Sequence, residues 1–390
     1  MLNRRSFLLQ TGGITASAAA LSLTRFPSIA AADAGPNPNL QVPSWLITDL
    51  GPLGVPYSRV EDFAIPPASS YGILFSEDRL TKGYHVEELA GGVYWVTTGA
   101  YDCMFISTGA GVIAVDAPPS LGENLLSAIE EMTDEPVTHM IYSHWHADHV
   151  GAAAMFGDKI TRIGHAKTRE LLERFPDPHR PPPNEIFSQD STLDVNGVKV
   201  EMSYKGQNHS EGLIFVYVPG PKILAAIDIA SPGWSTFRSC DMSENMSGYI
   251  QAYDQVLSYD FAQVVSGHVS RLGGRAAVEE GREFLQDLLT FAHEALLTIE
   301  FGYFIKQLQG PYRASYRWAE ASYFDACTNW VVKKMLEKTT SNGKTWPERL
   351  NGVDVLMKDN AFFVIEKMRM EMSHNGYVMR GNVKPPGYFF

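Results

Sequence analysis

Thr138-His139-Met140-Ile141-Tyr142-Ser143-His144-Trp145-His146-Ala147-Asp148-His149-Val150-Gly151 decides how the rest of the chain is read. A β-rich run, Val137 to Tyr142, delivers His144, His146, Asp148 and His149 in quick succession, and a small-residue helix is expected from Gly151 to Met155. In extended backbone, residues two apart point the same way, so His144 and His146 can converge on one ion. Asp148 and His149 stand where the chain turns toward the helix, which suits a second ion beside the first. Imidazole together with carboxylate suits zinc, with iron or manganese as alternatives. A chance histidine tract on the surface would not be expected to repeat this ligand spacing directly after a strand.

Working outward, His-x-His-x-Asp-His over His144 to His149 resembles the signature of the metallo-β-lactamase-fold superfamily. The resemblance implies an α/β fold, the αββα sandwich, over residues 84–300, followed by a helical C-terminal extension, 301–390. It also implies further ligands from the ends of later strands. Three residues stand at such places: His209 before the Leu213 strand, Asp228 after the Ile223–Ile227 strand, and His268 after Val264-Val265 and a turn glycine. By resemblance, His144, His146 and His209 hold one metal, Asp148, His149 and His268 hold the other, and Asp228 bridges them. Asp116, ending the Val112–Val115 strand, looks like the aspartate of this fold that orients ligands without binding metal.

Taken singly, His209 and His268 read as polar loop residues and Asp228 as a helix cap. Order and spacing together favour the ligand reading. His85, His165, His179, His293 and His374 lack a ligand-rich context and read as surface or structural. His139 shares a strand face with Ile141 and reads as buried and hydrogen-bonded.

Toward the amino terminus, Arg4-Arg5-Ser6-Phe7-Leu8-Leu9 precedes an Ala/Gly-rich run from Thr11 to Leu23 and then Ala30-Ala31-Ala32. This is the anatomy of a twin-arginine export signal over residues 1–32, too short and too poor in large apolar residues to read as a membrane span. Periplasmic or secreted localisation is expected. That route carries folded proteins, so metal could be loaded before export. The formal net charge is −12, and residues 1–32 hold three arginines and no acid, so the remainder carries −15. Such an acidic chain is a poor partner for nucleic acid or an anionic membrane. Cys103, Cys240 and Cys327 are scattered and odd in number, so no disulfide framework follows.

Residues 33–83 are read as an extended arm with Trp45, Leu46 and Ile47 as anchors. Short strands then run from His85 to Asp116, a helix from Leu121 to Met132, and strand and helix alternate to Val265. The loop Ala230 to Met242 separates the Asp228 strand from a helix over Asn245 to Ser258. Amphipathic helices are expected at Arg275–Glu300, Tyr312–Lys338 and Val353–Glu371. The middle one carries Trp318, Phe324, Cys327, Trp330 and Met335, a stripe suited to core packing or to a homodimer.

Two ions in this arrangement can share a water, lower its pKa toward neutrality, and polarise a carbonyl or phosphoryl oxygen. Asp148 is the candidate to orient that water and assist proton transfer. Trp145, Trp234 and Phe237 are candidate pocket-rim residues for a moderately apolar small-molecule substrate. The reading is therefore a zinc-dependent hydrolase of a lactone or ester. Within the resemblance, Asp228 points away from the β-lactamases, which generally carry Cys or Ser there, and toward the lactonase, glyoxalase II and organophosphate-hydrolase branches. An iron-dependent, dioxygenase-like member, a β-lactam hydrolase and a non-catalytic ligand-binding protein are the alternatives.

Overall fold

The computed structural model describes residues 64–72, 80–269 and 271–371. The expected export signal, the anchors Trp45, Leu46 and Ile47, and His374 lie outside the described residues.

Two sheets form the centre. The first holds β1 (His85–Ala90), β2 (Val93–Thr97), β3 (Asp102–Ser107), β4 (Val112–Val115), β5 (Val137–Ile141), β6 (Thr161–His165) and β7 (Glu185–Phe187), side by side in chain order. Pairing is antiparallel from β1 to β4 and parallel from β4 to β7. Parallel neighbours need a crossover, and the helices Asn124–Met132 and Ala166–Arg174 supply two of them. The second sheet holds β8 (Asp190–Val195), β9 (Val198–Tyr204), β10 (Ile214–Val218), β11 (Ile223–Ala225) and β12 (Gln263–Val265), in the order β12-β11-β10-β9-β8. Only β11 and β12 pair in parallel there, joined through the helix Met246–Leu257.

Side-chain alternation assigns the faces. From β4, Ile113 and Val115 enter the core between the sheets, where they meet Ile214, Val216 and Val218 of β10. Val112 and Ala114 turn outward to pack with Leu125, Ala128 and Ile129 of the Asn124–Met132 helix. Phe215 and Tyr217 of β10 turn to the opposite outer layer, which contains Tyr249, Phe284, Val331 and Val364. Both faces of each central strand are buried, so the sequence shows continuous apolar runs there. The result is the αββα sandwich, with helices outside both sheets.

The C-terminal helices belong to the second outer layer. Arg275–Thr298, Tyr316–Glu337 and Val353–Met370 share one apolar cluster with that sheet. The expected stripe on the middle helix holds at Phe324, Cys327 and Met335, and Trp330 packs at its edge. Trp318 departs from it: in the first turn, at 63% exposure, it lies against Tyr312 at 5.8 Å and outside the apolar cluster. Cys103, Cys240 and Cys327 are buried free thiols. Among the described residues, no helix is long and apolar enough to cross a membrane.

Three further features differ from the expectations. The helix after the histidine motif starts at Ala147, not Gly151, so Asp148 and His149 are themselves helical. Strands β7 and β8 were not expected from the sequence; they are edge strands with short, weak apolar patterns, Phe187, Leu193 and Val195 alone turning to the core between the sheets. His139 is half-buried on β5 and pairs with the Thr138 hydroxyl at 2.9 Å.

Candidate metal centre

The strand ends at one edge of the sandwich bring the site together. His144 and His146 follow β5, and His146 is the extended residue that opens the Ala147–Val150 helix. Asp148 lies in the first turn of that helix, where a carboxylate is favoured by the free amides. His209 precedes β10, Asp228 follows β11, and His268 follows β12. Asp116 and Asp228 both leave their strands with left-handed backbone, φ 64° and 58°. Aspartate tolerates that region better than most residues, and its use at two strand ends marks a local functional constraint. Gly267, at φ 86°, is required for a second reason: a Cβ there would stand 2.6 Å from the Ile227 side chain and 2.9 Å from the His149 ring.

The structure brings all seven sequence-derived ligand residues into two adjacent groups, His144, His146, His209 and Asp228 in one, and Asp148, His149 and His268 in the other. In the first, His209 Nε2 lies 3.0 Å from His146 Nδ1 and 3.3 Å from Asp228 Oδ2, which is 3.4 Å from His144 Nε2. In the second, His149 Nε2 and His268 Nε2 are 3.1 Å apart, and each is 3.6 Å from Asp148 Oδ2. Asp228 connects the groups: Oδ2 is 3.0 Å from His149 Nε2, and Oδ1 is 3.1 Å from His268 Nε2.

These separations fit a metal. Donors about 2.0–2.1 Å from a tetrahedral ion stand roughly 3.3 Å from one another. Nε2 of His144 is buried without a hydrogen-bond partner, which a cation would satisfy. The His/Asp cluster can therefore hold metal.

Electrostatics agree for the first group, whose three imidazoles are all held neutral. Burial depresses the His144 pKa well below the ordinary imidazole value, helped by His146, and depresses His209 to about 4 despite the pull of Asp228. Burial would lower His149 too, but the Asp228 carboxylate outweighs it and raises that imidazole to about 9. Burial alone would raise Asp228; His149 and His209 more than offset it and hold the carboxyl well below its usual range. His144, His146 and His209 thus present lone pairs, and Asp228 presents charge.

Behind the ligands is a hydrogen-bonded layer. Asp116 is fully buried and accepts from the Ser143 amide at 2.8 Å and the Ser143 hydroxyl at 2.6 Å. The same hydroxyl lies 2.9 Å from His144 Nδ1. With its proton given to Asp116, the hydroxyl can accept only from Nδ1–H, which leaves Nε2 of His144 free to coordinate. Asp116 thus reaches the ligand through Ser143, a residue the sequence reading did not single out although it adjoins His144.

Three other residues were also missed. Asp102 is buried near His268 and His149; burial pushes its carboxyl up to about 7, against the Trp95 indole N–H that donates to it at 3.0 Å. Tyr101 meets the His268 ring at a tilt of 53°, with ring centroids 4.6 Å apart. Arg180, from the proline-rich segment, donates to the Trp145 carbonyl at 2.9 Å and so clasps the histidine loop.

The three aromatic rim candidates separate. Trp145 lies 5.3 Å from His146 and stacks on Phe175 at 6.0 Å, beside the cluster. Trp234 packs against the Gly352 turn, and its backbone bridges to Asn351. Phe237 is half exposed.

Residues 96–268 match the model of the Metallo-beta-lactamase superfamily. The chain is 27% identical over 194 residues to 2,4-dinitroanisole O-demethylase subunit alpha of Nocardioides sp. (strain JS1661), covering 48% of this chain and 58% of that protein. It is 29% identical over 125 residues to Metallo-beta-lactamase type 2 of Bacillus cereus, covering 31% and 48%. The chain thus spans about half the length of the curated relatives it matches. A solved metallo-beta-lactamase from Pontibacter korlensis aligns with 52% of this chain and 99% of its own, at 20% identity and a TM-score of 0.46.

Proposed function

We propose that the protein is a dinuclear metal-dependent hydrolase, most simply with zinc, acting on a small, moderately apolar lactone or ester after twin-arginine export to the periplasm. The convergence of six ligand residues around a seventh, Asp228, which faces both groups, carries this reading. His144, His146 and His209 would hold one ion, Asp148, His149 and His268 the other, with Asp228 facing both. Divalent ions so held activate water at neutral pH and polarise a carbonyl or phosphoryl oxygen.

The chain's own groups do the rest. Asp148, with a side chain 41% exposed, is the carboxylate that can reach a substrate and take up or return a proton. The Asp116–Ser143–His144 series fixes the His144 tautomer. Trp145 and Tyr101 offer aromatic surface beside the two histidine groups.

The test is a panel of lactones, aryl esters, phosphotriesters and β-lactams assayed with the metal-loaded protein, with Asp228→Ala and His146→Ala as controls. Turnover of a lactone or ester that both substitutions abolish supports the proposal. Oxygen consumption by an iron-loaded protein, with no hydrolysis, would replace it with a redox reading. A second reading, cleavage of a methyl aryl ether, is favoured by the similarity to the O-demethylase subunit. 2,4-Dinitroanisole therefore belongs in the panel. Export is tested separately, by fractionating cells that express the Arg4→Lys/Arg5→Lys variant.

A further inference from the structure

The helix Val353–Met370 lies beyond the matched superfamily region, yet it reaches the loop that carries His209's support. Its Asn360 is fully buried. Oδ1 accepts from the Cys240 amide at 2.8 Å, and Nδ2 donates to the Thr236 carbonyl at 2.9 Å.

What Asn360 grips is strained. Ser239, Cys240, Asp241 and Met242 follow one another with φ of 53°, 51°, 55° and 53°, all left-handed and none of them glycine. Side-chain-bearing residues avoid this region, and a run of four persists only when its surroundings impose it. Asn360 fixes one side. On the other, the buried Asp241 carboxylate accepts from the Phe237 amide at 2.9 Å and from the Tyr249 hydroxyl.

From the turn the chain passes directly onto the His209 loop. The Glu244 amide donates to the His209 carbonyl at 2.9 Å, and the Asn245 amide donates to the Asn208 carbonyl at 3.0 Å. The Glu244 carboxylate accepts from the Glu211 amide at 2.8 Å. The next helix approaches so closely that a Cβ on Gly248 would stand 1.8 Å from the Gln207 carbonyl oxygen. The C-terminal helix grips here again: Lys367 donates to the Glu244 carbonyl at 3.3 Å, and Glu371 accepts from the Met246 amide at 3.0 Å.

We propose that the C-terminal helix is a brace for the metal centre, with Asn360 as a positioning residue. Asn360 holds the strained turn, and the backbone beyond the turn fixes His209 within the group formed with His144, His146 and Asp228. The inference rests on the metal-centre reading above.

Its test is zinc release from the full-length, zinc-loaded protein to a chromogenic chelator. Asn360→Leu keeps the volume and removes both hydrogen bonds. It is expected to speed release of one ion about tenfold, the scale of lost outer support, and to leave the other unchanged. Lys367→Met, a surface change, should speed release of the same ion by a smaller factor. If Asn360→Leu lowers only the melting temperature and both ions leave at the wild-type rate, Asn360 is merely a core residue and the brace is refuted. Should Asn360→Leu be insoluble, unchanged release from Lys367→Met refutes it instead. His146→Ala separates the two levels. If it keeps the wild-type zinc content, the metal-centre reading falls and the brace with it. If it loses zinc while Asn360→Leu and Lys367→Met behave as wild type, only the brace falls.

Discussion

Nε2 of His268 lies 3.1 Å from Oδ1 of Asp228, whereas Oδ2 of the same carboxylate faces His149, His209 and His144 at 3.0, 3.3 and 3.4 Å. One buried carboxylate thus touches both groups, Oδ1 meeting only the second and Oδ2 meeting His149 of the second as well as His144 and His209 of the first. Its left-handed backbone at the end of β11 sets that orientation.

Removing Asp228 or His146 should therefore disable hydrolysis rather than weaken substrate binding. Asp228→Ala and His146→Ala are expected to lower kcat/KM by at least about 100-fold, the upper end of what loss of an outer partner alone produces. Steady-state kinetics on the best substrate of the panel, with circular dichroism to establish folding, checks this. Wild-type kcat in either variant would contradict the assigned roles.

Ser143→Ala removes the hydroxyl between Asp116 and His144 and leaves a buried carboxylate with only the Ser143 amide on that side. The His144 tautomer is then no longer fixed. Metal affinity is expected to fall roughly 10- to 100-fold. Chelator competition measures it, and unchanged affinity would show that the Asp116 series is structural only.

Glu135 tests the fold away from the site. It accepts from the Ser107 hydroxyl and from the amides of Thr108, Gly109 and Gly111, each of these at 3.0 Å. Burial alone would raise this carboxyl, but those four donors hold it below its usual value. A depressed folded pKa means the contribution is complete above the unfolded value, about 4.3, and lost as pH falls through the folded one. Glu135→Gln should cost about 1–2 kcal/mol near neutrality. The difference from wild type should shrink in acid. Urea unfolding across that pH range measures it, and a pH-independent difference would contradict the ionic role.

Trp346 joins the extension to the sandwich layer. It is fully buried, meets Phe284 edge-on at 5.2 Å, and donates its indole N–H to Asp287 at 3.0 Å. Trp346→Ala should destabilise by about 3–5 kcal/mol. A single cooperative unfolding transition, shifted to lower denaturant, is expected if the extension and sandwich unfold together. Two separate transitions would show the extension to be an independent unit.

Much of this was legible in sequence because strong apolar runs end in polar residues of the right chemistry. His209, Asp228 and His268 were found at the ends of such runs. What was missed depends on geometry that local pattern does not encode. Ser143 matters only because Asp116 turns back in a left-handed conformation to meet it. Asp102 and Tyr101 join the site because the start of β3 pairs with the Gly267–His268 turn. The left-handed turn at Ser239–Met242 has no glycine to announce it, and its anchor, Asn360, lies 120 residues from Cys240. The helix start at Ala147 carries no capping signal in the sequence, because His146 precedes it without a side-chain cap hydrogen bond.

The most direct test of the dinuclear centre is elemental analysis of the purified wild-type protein alongside Asp228→Ala. Two divalent ions per chain in the wild type, falling to one or none when the shared carboxylate is removed, is the predicted result. A wild-type protein that takes up no ion, or an Asp228→Ala protein that retains the full wild-type complement, would contradict it.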